Sequence, residues 1–321
     1  MRIAGMGDLH LRSSVPVHRK DNYPHVLINK FKYILNFCDE HNIEYLIQPG
    51  DFFNSVNTSW DLFRNTALLL SSVKVKLFVV YGQHDLRFHA QDTANTPLRA
   101  FEDLKLVTRL TPVAPVIIGK TALWGSSWEE DPPAKLSSKH VNIWATHQTI
   151  TDNDKLWPGA ENYSLAQHLL KKHTFSLIIS GDNHKGFISR FADRLLVNCG
   201  SLGRTNIDQA THIPFFIVFD TATKKMARVR VPAANPNTVL AVKEVKEIKH
   251  KEAELAKLIE GLKSARLQKG YNYKDMTMSI LKQMEDTDLI DIMGMIFLAA
   301  ETTDKNLGKE TNSNLVKSLE V

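Results

Sequence analysis

Cysteine is scarce: Cys38 and Cys199 are the only two in 321 residues. That is too few for a disulfide framework and points to a reducing compartment. No run of about eighteen apolar residues occurs, so no membrane-spanning helix and no membrane partner are expected. Met1-Arg2-Ile3-Ala4 lacks a basic stretch leading into an apolar one, so no secretory signal is expected either, and the expected location is cytoplasmic, of a bacterium or a phage-infected host. No internal repeat is present. The hydrophobic share of 43% and charged share of 23% are those of an ordinary globular protein rather than a disordered or fibrous one. A net charge of +5 and a pI near 9.0 suit a polyanionic substrate without requiring one.

Strand-like and helix-like runs alternate over the first two-thirds. Met1 to Met6 predicts a strand ending at Gly7. Leu27, Ile28, Phe31, Ile34, Leu35 and Cys38 recur at helical spacing within 26–41. Ile43 to Ile47 predicts a strand stopped by Pro49-Gly50, then 60–70 a second helix and 76–81 a third strand. Further strands are expected at 116–118, 121–124, 141–146, 177–180, 195–198 and 215–219. This order predicts an α/β layered core with mixed sheets between helices.

The chemistry-bearing residues lie just after these strands. Asp8 and His10 follow the first and Asp51 the second. Gln83, His84 and Asp85 follow the third, His147 follows 141–146, and Asp182 and His184 follow 177–180. Taken singly, each has an ordinary explanation: surface decoration, a hydrogen-bonded core histidine, a turn. Five such segments in order, each at a strand end, match the place where α/β sheets build binding sites. Mixed imidazole and carboxylate donors suit Mn, Fe or Zn. Ser201 and Arg204, in Asn198-Cys199-Gly200-Ser201-Leu202-Gly203-Arg204, are read either as a phosphate contact or as a tight turn.

The order Asp-x-His, Gly-Asp, Gly-Gln-His-Asp, His, Gly-Asp-x-His resembles the calcineurin-like metallophosphoesterases over about residues 1–220. Gly7-Asp8-Leu9-His10-Leu11-Arg12 and the helical tail are most similar to the branch holding SbcD-type DNA-repair nucleases and phage recombination endonucleases. The resemblance implies two divalent ions, Mn2+ first, with Fe2+, Zn2+ or Mg2+ as alternatives, that activate a water and clamp a phosphodiester. It also implies that Asp8, His10 and His184 hold the first ion and that Asp51 bridges both. Gln83, His147 and Asp182 would hold the second, with His84 as proton donor and Asp85 orienting its ring. Gln83 stands where the family has Asn, and Asp182 where it has His. Three readings stay open: a complete but harder second position, a second position filled only with substrate, or an Asp182 that merely caps a turn.

Residues 1–230 are expected to form the catalytic domain. Residues 231–321 are read as a basic, mostly helical region, either a small cap or a partner-docking element. The stretch from Lys224 to Lys274 holds 13 Lys or Arg against 5 Glu, favouring DNA as substrate. Within it Leu255, Leu258, Ile259 and Leu262 predict an amphipathic helix. Another follows over 276–300, its Met284, Met293, Met295 and Phe297 suited to packing on a partner or on the core. The function expected is a DNA exo- or endonuclease of the SbcD type in recombination or repair. An SbcC-like coiled-coil ATPase and a second copy of the chain are its candidate partners. A phosphatase or small-molecule phosphodiesterase, and a non-catalytic scaffold, are the competing readings.

Overall fold

The computed structural model describes residues 1–89, 93–152, 163–241 and 257. The chain divides into two compact units, Met1–Val242 and Lys243–Val321. Apart from Lys257, the second lies outside the described residues, as do the helices expected at 255–262 and 276–300. No helix among the described residues is long and apolar enough to cross a membrane.

The first unit begins with β1 (Arg2–Gly5), α1 (Tyr23–Glu40), β2 (Tyr45–Gln48), α2 (Trp60–Ser72), β3 (Lys76–Val79), α3 (Pro97–Asp103) and β4 (Val107–Arg109). It continues with β5 (Val116–Ile118), β6 (Thr121–Ser126), β7 (Val141–Thr146), β8 (Ile150–Thr151), β9 (Ser164–Leu165), α4 (Ala166–Lys172), β10 (Leu177–Ser180), β11 (Phe187–Phe191) and β12 (Arg194–Asn198). β13 (Phe215–Asp220), β14 (Lys225–Arg230) and the short α5 (Pro236–Val239) complete it. Local chemistry sets the helix starts. The side chains of Asn22, Ser59 and Thr96 accept from backbone amides of α1, α2 and α3, filling orphan donors of the first turn.

Two six-stranded sheets result, ordered β14-β13-β1-β2-β3-β4 and β11-β12-β10-β7-β6-β5. β1 to β4 run parallel in the first, and β12, β10, β7 and β6 run parallel in the second. The sheets share one apolar interior: Ile3, Ile47, Phe78 and Ile217 meet Leu123, Ile143, Ile179 and Val197. Alternation along each strand sends the next residue to the outer face. Thus Ala4, Leu46 and Leu77 pack under Leu27, Phe31 and Ile34 of α1, while Trp144, Ile178 and Leu196 pack under Leu169 and Leu170 of α4. The layered α/β architecture expected from the alternating runs is the one present.

Two expectations shift. The first unit continues past residue 230 because the following segment folds back on it. Val231 joins the core beneath α1, Lys20 N donates to Val239 O at 3.0 Å, and Ala241 N donates to His18 O at 2.9 Å. The basic stretch also begins inside the sheet. Lys225 to Arg230 is the antiparallel edge strand β14, whose Arg228 guanidinium sits 3.9 Å from the centre of the Phe215 ring. Charged side chains on an edge strand discourage pairing with other chains.

Candidate metal centre

All the expected site segments leave the carboxyl ends of parallel strands: β1, β2 and β3 in one sheet, β7 and β10 in the other. Short contacts across the sandwich tie the two sets of loops together. His147 Nδ1 lies 2.6 Å from Pro49 O, and Leu202 N donates to Asp8 O at 2.8 Å. The loops after β1 and β2 continue side by side, with His10 N on Asp51 O at 2.9 Å and Leu11 N on Phe52 O at 2.9 Å.

The backbone bends sharply where the side chains must converge. His10, Asp51 and Asp182 adopt left-handed φ values of 47°, 51° and 70°, a region that costs an L-residue energy unless its surroundings hold it there. Space is equally tight. A Cβ on Gly181 would stand 2.5 Å from Asp8 Oδ1 and 2.6 Å from His147 Nδ1, and one on Gly50 (φ 99°) would stand 2.3 Å from the same nitrogen. Glycine is what lets these loops approach the ligands.

Asp51 is the hub. Its Oδ2 lies 3.5 Å from His147 Nε2, 3.6 Å from His10 Nε2 and 3.9 Å from His84 Nε2, while its Oδ1 accepts from the His84 amide at 2.9 Å. His184 Nε2 lies 3.6 Å from Asp8 Oδ2 and 2.9 Å from His10 Nε2. Two ring nitrogens that close need a shared proton or cation between them. Among the described residues, two groups have the spacing to hold an ion: Asp8 with His10 and His184, and His10 with Asp51 and His84.

The electrostatics follow from burying so many polar groups together. Burial, reinforced by Asp51 and Asp182, raises Asp8 well above the usual carboxylate range, although His147 pulls it down. Burial lowers His10 to about 3, outweighing the attraction of Asp51. Asp51 goes the other way: burial would raise it, but His147, His10 and His84 together hold it below the ordinary range. Burial also disfavours a charged His147, yet Asp51, Asp8 and Asp182 lift its ring to about 10.

Several buried atoms here have no hydrogen-bond partner: both oxygens of Asp8, Asp51 Oδ2, Gln83 Oε1 and His147 Nε2. Buried polar atoms are normally paired. A cluster of orphaned oxygens and an imidazole nitrogen fits divalent cations, which would satisfy them all at once.

Two expected roles change. The Asp85 carboxylate does not orient the His84 ring. It accepts from the amides of Phe52, Phe53 and Gly82 at 3.1, 3.0 and 3.1 Å, clamping the loops after β2 and β3 together. Burial, with help from Asp51, pushes it up to about 7 against the pull of those amides. The partner of His84 Nδ1 is instead the Asn54 carbonyl, 2.9 Å away. The contacts of Arg204 favour the tight-turn reading of its loop over the phosphate contact. Arg204 is buried and donates to the carbonyls of His212 and Ala234 at 2.7 and 2.9 Å, and the Ser201 amide is spent on His184 O.

Asp182 accepts from Gln83 Nε2 at 2.9 Å and from the Thr149 hydroxyl. Gln209 Nε2 stands 3.3 Å from His184 Nδ1. Neither Asn54, Thr149 nor Gln209 belongs to a motif. Beside His84 and His184 opens a cleft of about 380 Å³, lined among others by Arg12, His18, Asn54, Gly203 and Asn206.

Residues 1–186 match the calcineurin-like phosphoesterase family. No curated protein matches the chain. Solved structures similar to it include an archaeal phosphodiesterase, 16% identical, with 72% of this chain and 99% of that one covered and a TM-score of 0.40. A hypothetical protein of Pyrococcus horikoshii is 13% identical, with 78% and 93% covered and a TM-score of 0.40. A single mutant of Vps29 from Entamoeba histolytica is 16% identical, with 72% and 100% covered and a TM-score of 0.35.

Proposed function

The chain belongs to the calcineurin-like phosphoesterase family, and from that premise we propose that it is a metal-dependent phosphodiesterase acting on DNA, a nuclease of the SbcD type. Asp8, His10 and His184 would hold one ion, His147 and the Gln83 amide oxygen a second, and Asp51 both. Mn2+ is the ion such donors suit, with Fe2+, Zn2+ and Mg2+ as alternatives. When bound, divalent ions supply water activation and neutralise charge on phosphoryl oxygens.

The observation that carries the diester reading is the state of His84. Its side chain is 43% exposed at the mouth of the cleft. A carbonyl can only accept, so the Asn54 oxygen beside Nδ1 requires a hydrogen on that nitrogen. Nε2 is therefore the nitrogen left for acid–base work, on the side facing Asp51. A sugar alkoxide is a poor leaving group and needs such a donor. Asp85 contributes by holding the loop that carries His84, not by touching the ring.

A polyanionic substrate is supported by the charge around the cleft. Arg12 and His18 line it. Beneath its Gly203 wall lie three buried cations: Arg19 paired with Asp21, Lys30 donating to Leu202 O at 2.9 Å, and Arg204. Burial, then Arg204 and Arg19, push Lys30 down to about 8. One carboxylate among three cations gives that wall a net positive charge. A coiled-coil ATPase of the SbcC type and a second copy of the chain are the partners proposed.

One assay tests this reading: labelled double- and single-stranded DNA with Mn2+, beside p-nitrophenyl phosphate and its bis-ester, for the parent and Asp51→Asn. Cleavage of DNA that falls about a hundred- to thousandfold in the variant is expected, the usual cost of losing one preorganised electrostatic group. Turnover of the monoester or the small diester without DNA cleavage would replace the nuclease with a phosphatase or small-molecule phosphodiesterase. An inert parent that binds no metal would leave a scaffold.

A further inference from the structure

Gln83 and Asp182 are 99 residues apart in the chain and bonded to each other in the fold, with Gln83 Nε2 on Asp182 Oδ1 at 2.9 Å. The other carboxylate oxygen accepts from the Thr149 hydroxyl. A carboxylate offers no hydrogen, so its contact decides which end of the amide faces it. The NH2 group turns to Asp182 and the carbonyl turns away. That carbonyl oxygen, Gln83 Oε1, is buried without a partner, as are Asp51 Oδ2 and His147 Nε2. Both oxygens of Asp182 thus have hydrogen-bond donors. Its left-handed backbone, φ 70°, follows directly on Gly181, which packs against Asp8 and His147.

We propose that Asp182 is a positioning residue and not a metal ligand: anchored by Thr149, it fixes the Gln83 amide so that Oε1 is presented to the second ion. Glutamine has one more side-chain torsion than asparagine, and a free amide would rotate or flip. An anionic acceptor on the NH2 side removes both freedoms, as hydrogen-bonded partners do for metal-binding histidines. The two positions then form a matched pair, and a change at either is felt at the other. This rests on the two-ion reading of the site.

The test is a calorimetric titration of the full chain with Mn2+, repeated with Co2+ while its visible ligand-field bands are recorded. The parent should take up two ions. Asp182→Asn keeps an oxygen for Gln83 Nε2 and an NH2 group for Thr149 Oγ, so its second-ion affinity should stay within about threefold of the parent and the Co2+ bands should not move. Asp182→Ala should weaken the second ion about 10- to 100-fold, the usual cost of losing a partner that orients a ligand. Thr149→Val should weaken it by up to about tenfold, less than the full worth of a hydrogen bond to a charged group because it reaches the ion only through Asp182 and Gln83. Affinity for the first ion, read in the same titration, reports that each variant is folded, and Thr149→Val carries the test if Asp182→Ala is not.

An Asp182→Asn variant that loses as much as Asp182→Ala, or shifts the Co2+ bands, would make Asp182 a ligand and overturn the inference. Unchanged affinity in Asp182→Ala would remove any role. A parent that takes up fewer than two ions would sink the two-ion reading itself, and this inference with it.

Discussion

The Asp8–His10–His184 side of the site and the Gln83–His147–Asp182 side hang from the same two sheets and are held in different ways. On the first side the donors crowd one another. Both oxygens of Asp8 lack partners, and the His10 and His184 nitrogens stand 2.9 Å apart. On the second side the donors are held from behind. His147 is fixed through Nδ1 by the Pro49 carbonyl, and Gln83 through Nε2 by Asp182, which Thr149 holds in turn. On the first side, among the described residues, only His184 has such a backing contact, from Gln209 at 3.3 Å. The proposed roles therefore put more weight on backing residues on the second side.

His84 stands between the two sides, and its loss should have the largest effect of the three changes considered next. His84→Ala should retain both ions by calorimetry while turnover of a diester with a poor leaving group falls about 10²- to 10⁴-fold, the usual worth of a general acid. A diester with an activated leaving group should suffer far less. Loss of an ion along with turnover would place His84 among the ligands and blur the division.

Gly50→Ala should break the second side alone. Its Cβ would lie 2.3 Å from His147 Nδ1 and 2.9 Å from Gly82 N, at a φ of 99°. The displaced ring should cost about 10- to 100-fold in affinity for the second ion and only a few-fold for the first. Equal losses at both would show that the two sides move as one body.

The smallest effect is a proton count. The His147 ring, lifted to about 10, carries a proton at pH 7 in the metal-free chain, and an incoming ion must displace it. That contribution makes affinity rise about tenfold per pH unit below the ring's own value. His10, lowered to about 3, is already neutral and releases nothing. Titrations in buffers of different ionisation enthalpy should find one proton fewer released by His147→Gln than by the parent. The same count in both would mean that His147 binds its ion without deprotonating.

Much of this architecture is legible along the chain. The buried parallel strands read as continuous apolar runs stopped by glycine, as at Tyr45–Gln48 before Gly50 and Leu177–Ser180 before Gly181. The helix over 23–40 shows its buried face in its spacing. Other elements carry no such signal. β11 has only Ser189 buried among intermediate and exposed residues, and β14 alternates exposed with half-buried positions in a basic run. Both are edge strands and need little apolar surface. β8 and β9 are two residues each, too short to show a period.

The sequence by itself determined that the imidazole and carboxylate residues gather at strand ends, because residue type and order along parallel strands are local properties. Only the tertiary structure decided what stands behind each of them. It sets Asn54 rather than Asp85 against the His84 ring, gives Asp85 the backbone of two loops, sends Arg204 inward, and puts Asp182 on the Gln83 amide. Most of these contacts join residues 30 to 99 apart in the chain, and they depend on where one loop's amides and carbonyls point relative to another's. No spacing along the chain encodes that. It follows from closing two sheets over one core, where nearly every buried backbone donor and acceptor finds a partner.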